Sequence, residues 1–161
     1  MILYRIVKCD YAGDLNGTGA RLYGGRWNSE GKPAIYLASS RSLAVLEVLV
    51  HLPPLMLPNN YCLVEIEVPD TSITELSIDG LPANWRDISP PLVLKQKGDE
   101  FLKKQEHLLL KLPSSIVPME YNYLLNPLHQ AMAKVKILKK APFDFDGRLS
   151  PAQTLPGSEG F

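Results

Sequence analysis

The alternation of residues 61–68 is the feature that most restricts the fold of this chain. Every even-numbered position in the segment is apolar: Cys62, Val64, Ile66 and Val68. Both of its glutamates occupy odd-numbered positions. Because the side chains of a β-strand point to opposite faces with a period of two, this pattern predicts a half-buried strand. The chain is therefore expected to contain a sheet to which this strand belongs.

Other apolar segments predict more strands, and helices between them. Short β-rich or alternating runs lie at residues 2–7, 34–38, 115–117, 135–137 and 143–145. A helix is expected over residues 42–52. Ser39 or Ser40 can cap its first turn, and the prolines at positions 53 and 54 end it.

A second amphipathic helix is predicted to open at Asp99. Its apolar stripe comprises Phe101, Leu102, Leu108, Leu109 and Leu112. Residues 13–31 are expected to be a long irregular segment, and residues 70–98 to hold loops with a short helix near Trp85. Because strands and helices are mixed without a regular βαβ repeat, the predicted fold is α+β, with a mixed or antiparallel sheet and flanking helices.

Length and charge narrow the class of protein. The 161 residues fit one domain, expected to cover residues 1–149 and to be followed by a tail at 150–161. Lysine plus arginine and aspartate plus glutamate number 17 each, so the zero net charge does not favour direct DNA binding. There is no apolar run of about 18 residues and no signal-peptide pattern at the start. We therefore expect no membrane span and a cytoplasmic location.

The cysteines and histidines give no sign of a metal site. Cys9 and Cys62 are isolated in strand-like segments, which predicts buried free thiols in a reducing cytosol. The histidines at positions 51, 107 and 129 lack the spacing of metal ligands, so no metal is expected.

Glu47 is the most informative single residue. It is the only charged residue in SLAVLEVLVHL, a segment so apolar that it predicts a buried helix. A carboxylate there is costly unless it is paired, hydrogen-bonded or functional. Glu47 is thus either a buried structural carboxylate or a group that faces a cleft and stabilises a developing cation.

The loop GARLYGGRWN is the second candidate site. Gly24 and Gly25 give the backbone conformational freedom, and Arg26 follows them directly. Arginine suits bidentate phosphate contacts, so the loop is either an anion cradle or an ordinary turn with a surface arginine. Tyr36, in the short strand AIYLA, is either a core tyrosine with a satisfied hydroxyl or a ring that stacks on a flat ligand.

The third candidate is the proline-rich segment LPSSIVPMEYNYLLNP. It contains Ser114, Asn122 and Asn126 and shows little regular pattern. These side chains either satisfy the backbone of turns or hydrogen-bond a phosphate or a ribose.

Taken together, these segments resemble the RES-domain toxins of bacterial RES–Xre toxin–antitoxin modules. The resemblance covers residues 2–149 and is carried by LYRI, GARLYGGRWNSEGKPAIYLASSRSLAVLEVLVHL, LPSSIVPMEYNYLLNP and PFDFDGRL. The family is named for an Arg, a Glu and a Ser, which fall on Arg26, Glu47 and Ser114, with Ser115 as the alternative for the last. Tyr36 matches the tyrosine that the family has between the Arg and the Glu.

The resemblance implies an ADP-ribosyltransferase-like fold and an enzyme that cleaves the nicotinamide–ribose bond of NAD, as a glycohydrolase or as a phosphorylase, and so causes growth arrest. NAD would be the substrate, and no cofactor is implied. It also implies a cognate Xre-type antitoxin with a helix-turn-helix domain, through which alone the protein would join DNA. Two alternatives stay open: a mono-ADP-ribosyltransferase that modifies a host protein, and a non-catalytic module that only assembles with the antitoxin.

The resemblance also implies roles for the matched residues. Glu47 would stabilise the cationic ribose, and Arg26 would hold the pyrophosphate. Tyr36 would pack on the nicotinamide or its ribose, and Ser114 would hydrogen-bond near the phosphate or the nicotinamide.

Two further residues have weaker claims to the site. Asn126 would assist Ser114. Arg5 is either a second anion contact or, as is more usual for an arginine in a strand, an ordinary surface group.

Overall fold

The computed structural model describes residues 1–53 and 58–149, and this part of the chain is built around a seven-stranded sheet. The strands are β1 (Ile2–Lys8), β2 (Ile35–Ala38), β3 (Tyr61–Glu67), β4 (Ile73–Glu75), β5 (Leu109–Pro113), β6 (Tyr121–Leu125) and β7 (Lys136–Phe143). Their order across the sheet is β4-β5-β6-β2-β1-β3-β7. Only β4 and β5 pair in parallel, so the predicted α+β fold with a mixed sheet is confirmed.

Three α-helices connect the strands of the described chain: α1 (Thr18–Tyr23), α2 (Arg41–Leu49) and α3 (Leu92–Lys104). Single-turn 3-10 helices are found at Cys9–Tyr11, Ile78–Gly80, Gln130–Lys134 and Gly147–Leu149. Ser40 is the cap of α2, since its side chain accepts a hydrogen bond from the Leu43 N–H at 3.1 Å.

The strand predicted from the alternating pattern is β3, and its apolar side is buried as expected. It pairs antiparallel with β1 over the whole length of both strands, from Ile2 opposite Glu67 to Lys8 opposite Tyr61. The predicted strands at residues 2–7 and 34–38 are also present, as β1 and β2.

Both faces of the sheet are packed. One face, which we call the helix face, is covered by α2 and α3 and carries Ile6, Ala38, Leu110, Leu112 and Leu124. The opposite face carries Leu3, Ile35, Leu37, Val64, Ile66, Leu109 and Leu125. Short connections around Ala12 and Val135 cover this second face. Consecutive side chains of a strand therefore pack into different cores, one on each face of the sheet.

The helix predicted to open at Asp99 is wrong at both ends. It begins at Leu92, because Pro91 occupies its cap position, and it ends at Lys104, because the next residue, Gln105, has a left-handed φ of 52°. Leu108 then leads into β5, which contains Leu109 and Leu112. Because both faces of β5 are covered, its apolar residues form an almost continuous run that imitates the stripe of a helix.

Other local predictions also differ from the structure. Residues 115–117 form a turn and not a strand, and the neighbouring strand is Tyr121–Leu125, which the sequence pattern did not indicate. Trp85 lies in a turn and not in a short helix, and the segment 13–31 contains α1. The strand expected near residue 135 is β7, whose last residue is Phe143. The predicted tail at residues 150–161 lies outside the described chain.

The prediction of two free thiols is wrong, because Cys9 and Cys62 form a disulfide. The register of β1 and β3 places Val7 opposite Cys62, so Cys9 follows the end of β1 beside the same partner strand. The two Cα atoms are 4.9 Å apart, within the range that a disulfide can bridge. A separation of 53 residues hides this proximity from local sequence patterns.

Candidate active site around Glu47

Glu47 lies on α2, which crosses the helix face of the sheet beside β1 and β2. The prediction of a fully buried helix is wrong: in α2 only Leu43 and Ala44 are buried, and Glu47 is half-buried. One side of α2 packs on the sheet and the other stays partly open. The carboxylate is therefore placed where a ligand can reach it.

Two side chains hold one oxygen of this carboxylate. The amide Nδ2 of Asn122, on β6, donates a hydrogen bond to Glu47 Oε1. Ser114 Oγ lies 3.5 Å from the same oxygen, at the limit of a hydrogen bond. Two side chains that lie 67 and 75 residues further along the chain thus meet at Glu47.

Ser114 follows the end of β5 and is buried, with 2% of its surface exposed. Its hydroxyl oxygen accepts hydrogen bonds from the backbone N–H groups of Ile116 and Val117, at 3.1 and 3.0 Å. Arg86 holds the outside of the same turn by donating to the carbonyl of Ser115 at 2.9 Å. Ser114, and not Ser115, is the serine that contacts Glu47, and it also closes the turn.

The Arg26 guanidinium lies near Glu47 but is also part of the scaffold. It donates to the backbone carbonyls of Trp85 and Asp87, at 2.7 and 3.0 Å. Burial lowers the pKa of Arg26, and the negative charge of Glu47 is the largest effect that opposes this shift. Arg26 therefore fixes the 85–87 turn while it remains a positive charge beside the carboxylate.

The hydroxyl of Tyr36 attaches the Arg26 loop to the sheet. It donates to Asn28 Oδ1 at 2.7 Å and accepts a hydrogen bond from the Trp27 N–H at 3.0 Å. Burial raises the pKa of Tyr36, so this hydroxyl keeps its proton. A Cβ on Gly25 would lie 2.6 Å from the same hydroxyl oxygen, which explains why the loop needs a glycine there.

Asn28 is a residue of this loop that sequence reasoning missed. Its side chain is completely buried, and its Nδ2 donates to the carbonyls of Ala20, Lys32 and Ser29 at 2.8, 2.9 and 3.2 Å. An asparagine in a Gly-rich loop gives little signal by itself, because it is common in ordinary turns. Asn122 was noticed in the sequence but not placed in the site.

Asn126 and Arg5 are not brought to Glu47. Asn126 lies at the other end of β6 from Asn122, and its amide bonds the Leu102 carbonyl at 3.0 Å and the Leu128 N–H at 3.1 Å. Arg5 lies on the face of the sheet opposite the helices, where it donates to the carbonyl of Asp14 at 2.6 Å. Both side chains are occupied by backbone groups far from the carboxylate.

A shallow cleft of about 230 Å³ opens on the other side of Arg26. Its lining includes the nitrogen-bearing side chains of Arg26, His51 and Lys95, and none of the described residues that line it is acidic. Tyr23 and Ile88 form an apolar rim and are 80% and 99% exposed. The cleft thus combines positive charge with apolar surface, and it shares Arg26 with the surroundings of Glu47.

The described segments contain neither a metal cluster nor a membrane helix. No group of three or more His, Cys, Asp or Glu side chains in residues 1–53 and 58–149 is arranged to hold a metal ion. Each helix in these segments is too short or too polar to cross a bilayer.

Comparison with known families gives the site its context. The profile of the RES domain matches residues 2–146. The chain belongs to the RES family. It is 41% identical over 155 residues to the protein named toxin Res of Photorhabdus laumondii, covering 95% of this chain and 99% of that relative.

Two further matches extend the comparison. A protein of Sphingobium sp. named as a Prs ADP-ribosylating toxin is 41% identical over 141 residues, covering 86% of this chain and 88% of that relative. A chain in the crystal structure of the M. tuberculosis MbcT–MbcA toxin–antitoxin complex superposes with a TM-score of 0.68 at 20% identity. That match covers 89% of this chain and 84% of the solved one, and it shows a shared fold.

Proposed function

We propose that this RES protein is the toxin of a toxin–antitoxin pair and that it cleaves the nicotinamide–ribose bond of NAD. The observation that carries the proposal is the fixed Glu47 carboxylate, held by Asn122 and Ser114 next to the positive charge of Arg26. The names of its relatives, which include toxins and an ADP-ribosylating toxin, support the same conclusion.

The chemistry needs one carboxylate and no general acid. When the C1′–N bond of NAD breaks, its electron pair moves to the pyridinium nitrogen, so nicotinamide leaves as a neutral molecule. The ribose develops the positive charge of an oxocarbenium ion, as in glycoside cleavage. A carboxylate fixed beside this ribose lowers the energy of the transition state. Water then adds to C1′ and loses a proton, which gives ADP-ribose.

The rest of the substrate fits the cleft beside Arg26. With the nicotinamide ribose at Glu47, the N–H groups of Arg26 that do not bond the 85–87 turn can face the pyrophosphate. Lys95 adds a second positive charge, and Tyr23 and Ile88 offer apolar surface for the adenine. The ring of Tyr36 would pack on the nicotinamide end, while its hydroxyl holds the Arg26 loop.

The proposed setting follows from the toxin assignment. A toxin that consumes NAD acts where NAD is found, in the cytoplasm, and is restrained by an antitoxin. We propose an Xre-type helix-turn-helix antitoxin as the partner, with DNA contacted only through it. The structural match to a chain of a toxin–antitoxin complex supports an antitoxin partner.

A second candidate function is transfer of ADP-ribose to a host protein, with release of the same nicotinamide. The relative named as an ADP-ribosylating toxin favours it. Only the acceptor at C1′ differs, so the contacts around Glu47 serve both reactions. A non-catalytic module would have no use for a carboxylate held in this way.

The test is to mix the purified protein with NAD and measure free nicotinamide and free ADP-ribose, with Glu47→Gln alongside. We expect the substitution to lower kcat by about 10²–10³-fold, because the stabilising charge is lost. Glu100→Gln is the matched control, since Glu100 is an exposed glutamate on α3 paired with Lys104, and its turnover should be unchanged. Circular dichroism checks that both variants fold.

Each outcome decides between the candidates. Equal release of nicotinamide and ADP-ribose, lost in Glu47→Gln, supports NAD hydrolysis. Nicotinamide without free ADP-ribose indicates transfer to phosphate or to protein, and labelled NAD then identifies the acceptor. Normal turnover in Glu47→Gln would remove Glu47 from the reaction.

A further inference from the structure

Asn122 stands at a point where the sheet meets the Glu47 carboxylate. In the register of the sheet it lies between Ala38 of β2 and Leu112 of β5, both buried and uncharged. Its amide group extends from the helix face to Glu47 on α2. Asn122 is thus a polar side chain among apolar neighbours.

The two oxygens of Glu47 have different surroundings. Both neighbouring donors, Asn122 Nδ2 and Ser114 Oγ, act on Oε1. Among the described residues no hydrogen bond reaches Oε2. Nor do the ion pairs of the described chain include one between Glu47 and Arg26, although their charges interact. One oxygen is anchored and the other is left available.

The chemistry of the groups fixes the orientation of the amide. A carboxylate oxygen can only accept, so the nitrogen of Asn122 must face it. The other amide atom, Oδ1, is then buried without a partner among the described residues. A buried, unpaired oxygen is destabilising, and an apolar side chain at this position would avoid that cost. The unpaired Oδ1 therefore costs stability, and in return Asn122 places one N–H donor against Glu47.

We infer that Asn122 is a positioning residue that anchors Glu47 Oε1, so that Oε2 alone faces the ribose of NAD. The inference rests on the proposed NAD cleavage. Without this donor the carboxylate is free to rotate towards the Arg26 guanidinium and form an ion pair. Such a pair would neutralise the charge that stabilises the oxocarbenium ion.

The first test is Asn122→Leu, which keeps the branching and the number of heavy atoms of the side chain and removes the donor. We expect kcat for NAD to fall about 10- to 100-fold, as is typical when a catalytic group is misplaced. KM should change little, because Asn122 does not touch the substrate. A merely structural role would lower stability without this split between kcat and KM.

The second test is Asn122→Asp, which makes the donor depend on pH. The introduced carboxyl group can donate to Glu47 only while it is protonated, and once ionised it repels Glu47. The ratio of variant to wild-type kcat should therefore fall as the pH rises from about 5 to 8. Arg26 interacts with the charge of Glu47, Arg86 bonds the Ser115 carbonyl, and His51 lies four residues after Glu47 in the chain. All three are present in both proteins, so the ratio removes their contribution.

Gln96→Glu is the control for an amide-to-acid exchange, because Gln96 is exposed on α3. Its kcat ratio should not change with pH. A wild-type kcat in Asn122→Leu, or a kcat ratio that does not change with pH in Asn122→Asp, would overturn the inference.

If the wild-type protein does not cleave NAD, the proposed function fails, and the inference is then decided by a crystal structure of Asn122→Leu. Glu47 should have rotated towards Arg26, and an unmoved carboxylate would refute the anchoring role.

Discussion

At the scale of single residues, Tyr36 shows how one hydroxyl can serve the scaffold of a site. Its oxygen joins the sheet to the loop that carries Arg26, through Asn28 and the backbone of Trp27. Tyr36→Phe keeps the ring and leaves two buried polar groups without their partner. We expect it to lower the free energy of unfolding by about 1–3 kcal/mol. Urea denaturation measures this loss, and Tyr23→Phe, at an 80% exposed position, should lose almost nothing.

The same variant has a signature at alkaline pH. Burial raises the pKa of Tyr36 above its ordinary value of 10.0, so the folded protein retains a proton that the unfolded chain releases. The stabilisation is complete below pH 10 and is lost as the pH rises towards the raised pKa. Above pH 10 the wild type should therefore lose stability more steeply than Tyr36→Phe. Equal slopes would mean that the hydroxyl is not buried in solution.

The sequence could indicate as site residues only those whose chemistry is unusual among their neighbours in the chain. A single charge in an apolar helix singled out Glu47, and glycines before an arginine singled out Arg26. Asn28 and Asn122 do not stand out from their neighbours, because asparagine is ordinary in loops and short polar segments. Their importance comes from the partners that the fold supplies, and Asn122 is 75 residues from Glu47.

At the scale of elements, α3 packs against the loop that carries Arg26 and holds it in place. Asp99 of α3 accepts a hydrogen bond from the Ser29 N–H at 2.9 Å, and Gly98 packs directly against the backbone of Trp27. A Cβ on Gly98 would lie 1.7 Å from the Trp27 carbonyl oxygen. The helix and the loop can approach this closely only because position 98 carries no side chain.

Gly98→Ala should therefore be destabilising, although alanine is normally the better residue in a helix. We expect a loss of about 1–3 kcal/mol from overpacking, together with weaker binding of NAD because Trp27 and Arg26 must shift. Gly19→Ala in α1 is the matched control: nothing lies within 4 Å of its added Cβ. It should gain about 0.5–1 kcal/mol. Thermal unfolding of both variants shows whether each substitution raises or lowers the stability. A Gly98→Ala variant as stable as the wild type would contradict the close packing.

The elements that sequence patterns missed are those whose pattern depends on their neighbours. β3 has one face buried more deeply than the other, so its alternating apolar residues could be recognised in the sequence. β5 is buried on both sides and looked like part of a helix. β6 carries Asn122 among tyrosines and leucines, and its strand character comes from pairing with β2 and β5. Local periodicity cannot report a pairing with a distant strand.

At the scale of the whole molecule, the two faces of the sheet have separate tasks. The helix face carries Glu47, Asn122 and the Arg26 loop, and the opposite face carries a core that includes Cys62. The Cys9–Cys62 disulfide closes a loop that contains β2 and α2. It therefore restricts the unfolded chain across the part that supplies Glu47, while it lies on the other side of the sheet from the carboxylate.

Reduction should consequently affect stability and leave catalysis intact. For a closed loop of 53 residues, the chain-entropy model gives a stabilisation of about 4 kcal/mol, which a thiol reductant should remove in urea denaturation. The kcat for NAD under native conditions should not change, because none of the contacts to Glu47 involves the opposite face.

A Cys9→Ser, Cys62→Ala double variant separates the disulfide from other effects of the reductant. Its unfolding should resemble that of the reduced wild type and should not respond to reductant. If the oxidised and reduced wild-type proteins unfold at the same urea concentration, the bond does not form in solution and the cysteines are the free thiols that their isolation in the sequence suggests. If reduction abolishes NAD cleavage while the fold persists, the two faces are coupled, and the independence of site and disulfide is wrong.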